Sequence, residues 1–145
     1  MGTLTLINRQ RRLHLNTTWL RRAAKTALPI CREVSDDEEF ALRKIPEVIV
    51  AIVSDPVIGR IHADFMGIEG PTDVITFDHG EIVISADTAK IHATRYGHSV
   101  EQELALYTIH GLLHLNGFDD LTAAPAARMR KTQARILRQI IASTP

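Results

Sequence analysis

The chain has 145 residues, the size of one ordinary domain, and can bury about 68–70% of the surface its unfolded form exposes, so it needs no staples to fold. Seventeen basic residues balance seventeen acidic ones, which excludes a global field directing the protein to nucleic acid or membrane. Cys31 is the sole cysteine, so an intrachain disulfide and a thiol-rich zinc knuckle are also excluded.

Local charge is less even. Arginines and a lysine crowd residues 9–25 and 128–138, and an acidic run spans Asp36 to Glu39; solvated helix faces and an acidic loop account for these clusters. The first residues carry neither a basic nor a long apolar leader pattern, and no apolar stretch approaches the ~20 residues needed to span a bilayer. The expectation is a soluble, unexported, cytoplasmic protein with no membrane partner.

In chain order, Leu4 and Leu6 alternate with polar residues as in an opening strand. Asn16-Thr17-Thr18 then offers N-caps for a helix through Trp19, Leu20, Ala23, Ala24 and Ala27, which Pro29 is expected to end. Cys31, with no motif around it, reads as a packing residue. A loop or short helical piece between the acidic run and Pro46 leads to a buried strand from Val48 to Val53. Asp55-Pro56 reads as an N-cap with proline at the first helical position, opening a helix through Ile58, Ile61, His62 and Phe65 that Gly67 and Gly70-Pro71 stop.

Thr72 to Phe77 and Glu81 to Ser85 are β-branched runs separated by Asp78-His79-Gly80, the spacing of antiparallel neighbours. The period lengthens over Ala86 to Tyr96 into a helix closed by Gly97. Ser99 and Gln102 form a capping box for the next helix, which runs to about Asn116. Past Pro125, Met129, Ile136, Leu137, Ile140 and Ile141 make a terminal amphipathic helix with arginines on its other side. With no repeat and no linker, the reading is a single α+β domain over residues 1–145.

His110 and His114, four apart on a strongly predicted helix, place two imidazoles on one face within reach of a single ion. Gly117 can adopt the left-handed conformation that ends a helix, turning the chain so that Asp120 returns toward the histidines. His110, His114, Gly117 and Asp120 reproduce the spacing of the metzincin zinc signature. Gly111, however, stands where zincins carry the glutamate that acts as general base. Three protein ligands leave an open position, the pattern of catalytic rather than structural zinc, so the expected cofactor is one divalent ion, zinc first. The bland alternative is two histidines on an apolar helix followed by a turn.

The run His110-Gly111-Leu112-Leu113-His114-Leu115-Asn116-Gly117-Phe118-Asp119, together with Pro71-Thr72-Asp73-Val74-Ile75-Thr76-Phe77 and Gly80-Glu81-Ile82, resembles the YbeY-type metal-dependent endoribonucleases of ribosomal RNA maturation. The family hallmark reads His-Gly-x-Leu-His-Leu-x-Gly-(Tyr/Phe)-Asp-His. The resemblance implies a mixed sheet of about four strands with surrounding helices, a zincin-like metal-site helix, and hydrolysis of single-stranded regions of ribosomal RNA. It also implies ribosomal proteins or the small subunit as partners. Two departures stand out. Asp120 occupies the place of the family's third histidine, and Met66 that of an arginine thought to contact the scissile phosphate, with His62 in place of an asparagine.

Further expectations concern six individual side chains. Glu103 and Tyr107 precede His110 on roughly the same helix face, so either can orient an imidazole, and with Gly111 in place of a base the proton can pass to Glu103, to a second water or to the substrate itself. Arg60, earlier on the same predicted helix as Met66, is the candidate cation to replace the missing arginine at the phosphate. Asp119 is placed to bond turn amides. Thr72-Asp73 either closes a turn or lines the cleft. Two rival functions remain at this level: a metallopeptidase-like hydrolase, suggested by the ligand spacing, and a non-catalytic ribosome-assembly factor that binds through its basic helices.

Overall fold

A computed structural model describes residues 2–34 and 41–144; the acidic run Asp36 to Glu39 lies outside them. A four-stranded sheet, ordered β1-β2-β4-β3, is built from β1 (Thr3–Asn8), β2 (Glu47–Val53), β3 (Val74–Phe77) and β4 (Glu81–Ser85). β1 and β4 both run parallel to β2, and β3 is antiparallel to β4. The sheet is therefore mixed, with β1 and β3 at its edges.

Strand period two sorts side chains to two faces. Val48, Val50, Ile52, Ile82 and Ile84 join Leu4 and Leu6 on one face, in a core completed by α1 (Thr17–Glu33), α4 (Val100–Leu115) and α5 (Ala123–Ser143). Ala51, Val53, Ile75 and Val83 point the other way, into a smaller cluster closed by Ile58 of α2 (Asp55–Met66). α3 (Ala86–Tyr96) packs along α4.

Two helix boundaries differ from the sequence reading. Pro29 lies inside α1, which continues to Glu33. The hydrogen bond that proline cannot make concerns the carbonyl of Lys25, an exposed residue, and burial of Leu28 and Cys31 on the core face holds the helix beyond it. Burial also pushes the Cys31 thiol up to about 12, so it packs as an inert apolar group. The N-cap of α2 is Ser54, not Asp55. Asp55 instead accepts hydrogen bonds from the hydroxyls of Ser85 and Thr88, and its N–H donates to Asp87, lashing the start of α2 to that of α3.

The other signals produced what their chemistry requires. Asn16 caps α1 through Trp19 N–H, and the Ser99–Gln102 capping box opens α4. The hairpin turn between β3 and β4 needs Gly80 at φ +116°, where a Cβ would also strike the Glu47 carbonyl at 2.7 Å. α5 begins at Ala123, so Pro125 falls in its first turn, where no N–H is needed.

Candidate metal centre

α4 is buried nearly all round and presses against β4 at Gly111. A Cβ added there would lie 2.7 Å from Ile82 Cγ2 and 2.9 Å from Cδ1, and Ile82 is itself fully buried. The glycine is thus what lets the helix sit this close to the sheet. Position 111 faces the core, and a carboxylate could not be housed there without displacing Ile82.

His110 and His114 project from the exposed side of the same helix. Their Nε2 atoms are 3.1 Å apart. α4 ends at Asn116, Gly117 follows at φ +92°, and the chain reverses. The reversal carries Asp120 to 3.6 Å from each imidazole, Oδ2 to His110 Nε2 and Oδ1 to His114 Nε2. Among the described residues, this is the group of histidine, cysteine and acidic side chains whose ligand atoms converge, all within 4.8 Å of one another. Tetrahedral ligands about 2.0–2.1 Å from a zinc ion stand about 3.3–3.4 Å apart, whereas neighbours in an octahedral magnesium site stand about 2.9 Å apart. The His110–His114 edge of 3.1 Å falls between these values, while the two 3.6 Å distances run to different oxygens of Asp120, so that with one oxygen per residue the three ligand atoms lie within 4.8 Å of one another. The donor set therefore fits one divalent cation.

The imidazoles are held from behind. Nδ1 of His110 donates to Gln133 Oε1 at 2.8 Å, which leaves the lone pair on Nε2 free for a ligand bond. The backbone of Phe118 hydrogen-bonds His114. Burial, then the neighbouring His110, hold His114 below the usual imidazole range, only partly offset by Asp120; the neutral form that binds metal is favoured. Asp119 Oδ1 accepts from Leu121 N–H, fixing the turn as anticipated.

Gln133 was not found by sequence reasoning. It comes from α5, 23 residues beyond His110, and its one signal is a polar residue set between Met129 and Ile136 on the buried stripe of an amphipathic helix.

A cleft of about 410 Å³ opens in front of the two histidines and Asp120, lined also by Met66, Thr72, Asp73, residues 74–76 and Asp78. Thr72 and Asp73 do both things considered for them. They line the cleft, and Asp73 Oδ1 accepts from Val74 N–H to shape the turn. Met66 reaches the cleft at the end of α2, while His62 is tied to the Gly70 carbonyl. Arg60 is exposed and does not line the cleft; six residues before Met66, it is rotated about 120° around the helix from it.

Glu103 is placed elsewhere as well. Seven residues are about 10.5 Å of helix, too far for its carboxylate to reach His110. It is buried, bonded to His98 Nε2, and 3.8 Å from His92 Nδ1. Tyr107 joins the same group, its hydroxyl 2.7 Å from His92 Nδ1. Burial, then the Glu103 charge, push the Tyr107 phenol upward. Both residues couple α4 to α3 and its following turn.

The family model described as "Endoribonuclease YbeY" matches residues 5–141. Relatives bearing that name include a protein of Desulfitobacterium hafniense (strain Y51), 35% identical over 65% of this chain and 71% of that protein. Another, from Bacillus pumilus (strain SAFR-032), is 39% identical over 63% of this chain and 70% of its own length. The solution structure of TM1509 from Thermotoga maritima superposes with a TM-score of 0.65 at 22% identity, covering 97% of this chain and 90% of that one. It shares the fold.

Proposed function

The chain belongs to the endoribonuclease YbeY family, and from that premise we propose that it is a zinc-dependent endoribonuclease acting on single-stranded regions of ribosomal RNA during rRNA maturation in the cytoplasm. His110, His114 and Asp120 would hold the ion, as one zincin-like site in a single domain. The observation that carries this reading is the convergence of His110, His114 and Asp120, whose ligand atoms lie within 4.8 Å of one another at the end of an open cleft. When bound, a zinc ion with one open position supplies Lewis acidity toward a phosphoryl oxygen and toward water.

The chain's own residues supply the rest. Gln133 and the Phe118 backbone keep the imidazoles in register. Thr72 and the β3 edge line the path of the substrate strand. Glu103 is committed to His98, so proton acceptance is better assigned to a cleft carboxylate. Asp73 is fixed by Val74 N–H at one oxygen, leaving the other to take the proton. Among the described residues no lysine or arginine lines the cleft, so charge developing on the phosphate lacks a side-chain cation beside the metal and turnover is expected to be slow.

Position 111, turned into the core against Ile82, disfavours the peptidase alternative. Zinc-loaded protein incubated separately with a single-stranded ribosomal RNA fragment and an unfolded peptide, with and without chelator, tests the proposal. Chelator-sensitive RNA cleavage with intact peptide is the expected result; peptide cleavage, or RNA binding with no cleavage, would replace it with one of the rivals.

A further inference from the structure

α2 places Val57, Ile61 and Phe65 at four-residue spacing, one stripe along its sheet-facing side. Val57 and Ile61 pack on the smaller core. Phe65 runs past its end and is 70% exposed, followed by Met66 at 48% and Ile68 at 52%. Contiguous exposed apolar residues on a chain of this size mark a contact surface.

Phe65 belongs to an ordered set of rings. It meets Phe77 edge-on, with centroids 5.4 Å apart and planes at 81°. Phe77 stacks in turn on His79, at 5.8 Å and 27°. His79 Nε2 lies 3.7 Å from the Glu81 carboxylate. The set is continuous with the metal cleft: Met66, next to Phe65, lines that cleft, and so do Thr76 and Asp78 on either side of Phe77. Strand alternation at the free edge of β3 turns Thr76 toward the cleft and Phe77 toward the rings.

We propose that Phe65, Phe77 and His79 form a base-stacking platform, on which a single-stranded RNA seats a nucleobase while the adjoining backbone crosses the β3 edge into the metal cleft. This rests on the ribonuclease reading of the cleft and specifies how the substrate is held. Single-stranded RNA offers unpaired bases whose π-faces stack on aromatic side chains whatever their sequence. With no lysine or arginine among the described residues that line the cleft, stacking would supply holding energy that side-chain contacts to phosphate there do not.

The test compares binding of zinc-loaded parent and Phe65→Leu to a phosphorothioate-linked oligoadenylate and to an abasic oligomer of equal length, followed by fluorescence anisotropy. Phe65 is exposed, so the substitution leaves the fold intact, and Phe65→Tyr serves as the ring-retaining control. The parent should bind the oligoadenylate about 5- to 100-fold more tightly than the abasic oligomer. Phe65→Leu should lose most of that preference, Phe65→Tyr should keep it, and the salt dependence should be the same for all three because no charge has changed. If Phe65→Leu keeps the full preference, the platform is overturned, and continued chelator-sensitive RNA cleavage by the parent would show that the ribonuclease reading survives. A parent that neither prefers the oligoadenylate nor cleaves RNA overturns both.

Discussion

Gly111 and Ile82 are packed so closely that the helix bearing the two histidines has no room for a side chain at position 111. One contact thus positions the metal-site helix and removes the base found in zinc peptidases. Gly111→Ala should destabilise the protein by about 1–3 kcal/mol, the usual cost of overpacking a filled core. Gly111→Glu should cost more and confer no peptidase activity. Urea unfolding and a peptide-cleavage assay check both; a stable glutamate variant that cuts peptide would mean that position 111 reaches the cleft.

Gln133 fixes the tautomer of His110 from the opposite side. Gln133→Leu should weaken zinc binding about 10–100-fold, the range for removing a hydrogen-bond partner of a ligating imidazole, with little loss of stability. Competition with a chromogenic chelator measures it. Unchanged affinity would show that the Gln133 contact has no hold on the metal.

Glu103 and His98 form a buried, charge-assisted contact between α4 and the turn before it. Breaking a fully buried pair costs about 3–5 kcal/mol; with His98 and His92 a quarter to a third exposed, Glu103→Ala should cost about 2 kcal/mol. Zinc content should not change. If zinc is lost while the fold is retained, Glu103 serves the metal site after all.

The depressed His114 sets a sign for pH dependence. Its folded-state value lies below that of the unfolded chain, near ~6.5, so the unfolded state binds more protons in the interval between them and stability rises with pH there. The metal-free protein should lose stability as pH falls below ~6.5 and show no further gain from this group above it. Zinc affinity should fall over the same acidic range, because each ion bound must displace protons. His114→Ala should flatten the stability profile in that interval; an unchanged profile would assign the dependence to another group.

The convergence of His110, His114 and Asp120 was legible in the sequence because its parts are local. Two histidines one turn apart, a glycine able to reach φ +92° and an aspartate three residues later form one short segment, and helical geometry makes them converge. What depended on distant elements was not legible. Gln133 enters from another helix, and Glu103 shares a helix face with His110 yet finds closer partners in His92 and His98. Pro29 carried a strong local stop signal that tertiary burial of Leu28 and Cys31 overrode. Asp55 had the chemistry of a cap but was drawn into a network with Ser85 and Thr88 across the sheet. The β-hairpin of β3 and β4 was legible from its turn, whereas the apolar run of β2 marked it as buried without naming β1 and β4 as its parallel neighbours.

In the proposed function His110, His114 and Asp120 hold one zinc ion that RNA cleavage requires. Zinc per chain by elemental analysis, measured beside single-turnover cleavage of a single-stranded RNA for the parent, His114→Ala and Asp120→His, tests it most directly. One zinc per chain and chelator-sensitive cleavage are expected in the parent, loss of both in His114→Ala, and retained zinc in Asp120→His because imidazole suits the ion at least as well. Stoichiometric, tightly held zinc in His114→Ala, with cleavage at the parent rate, would contradict it.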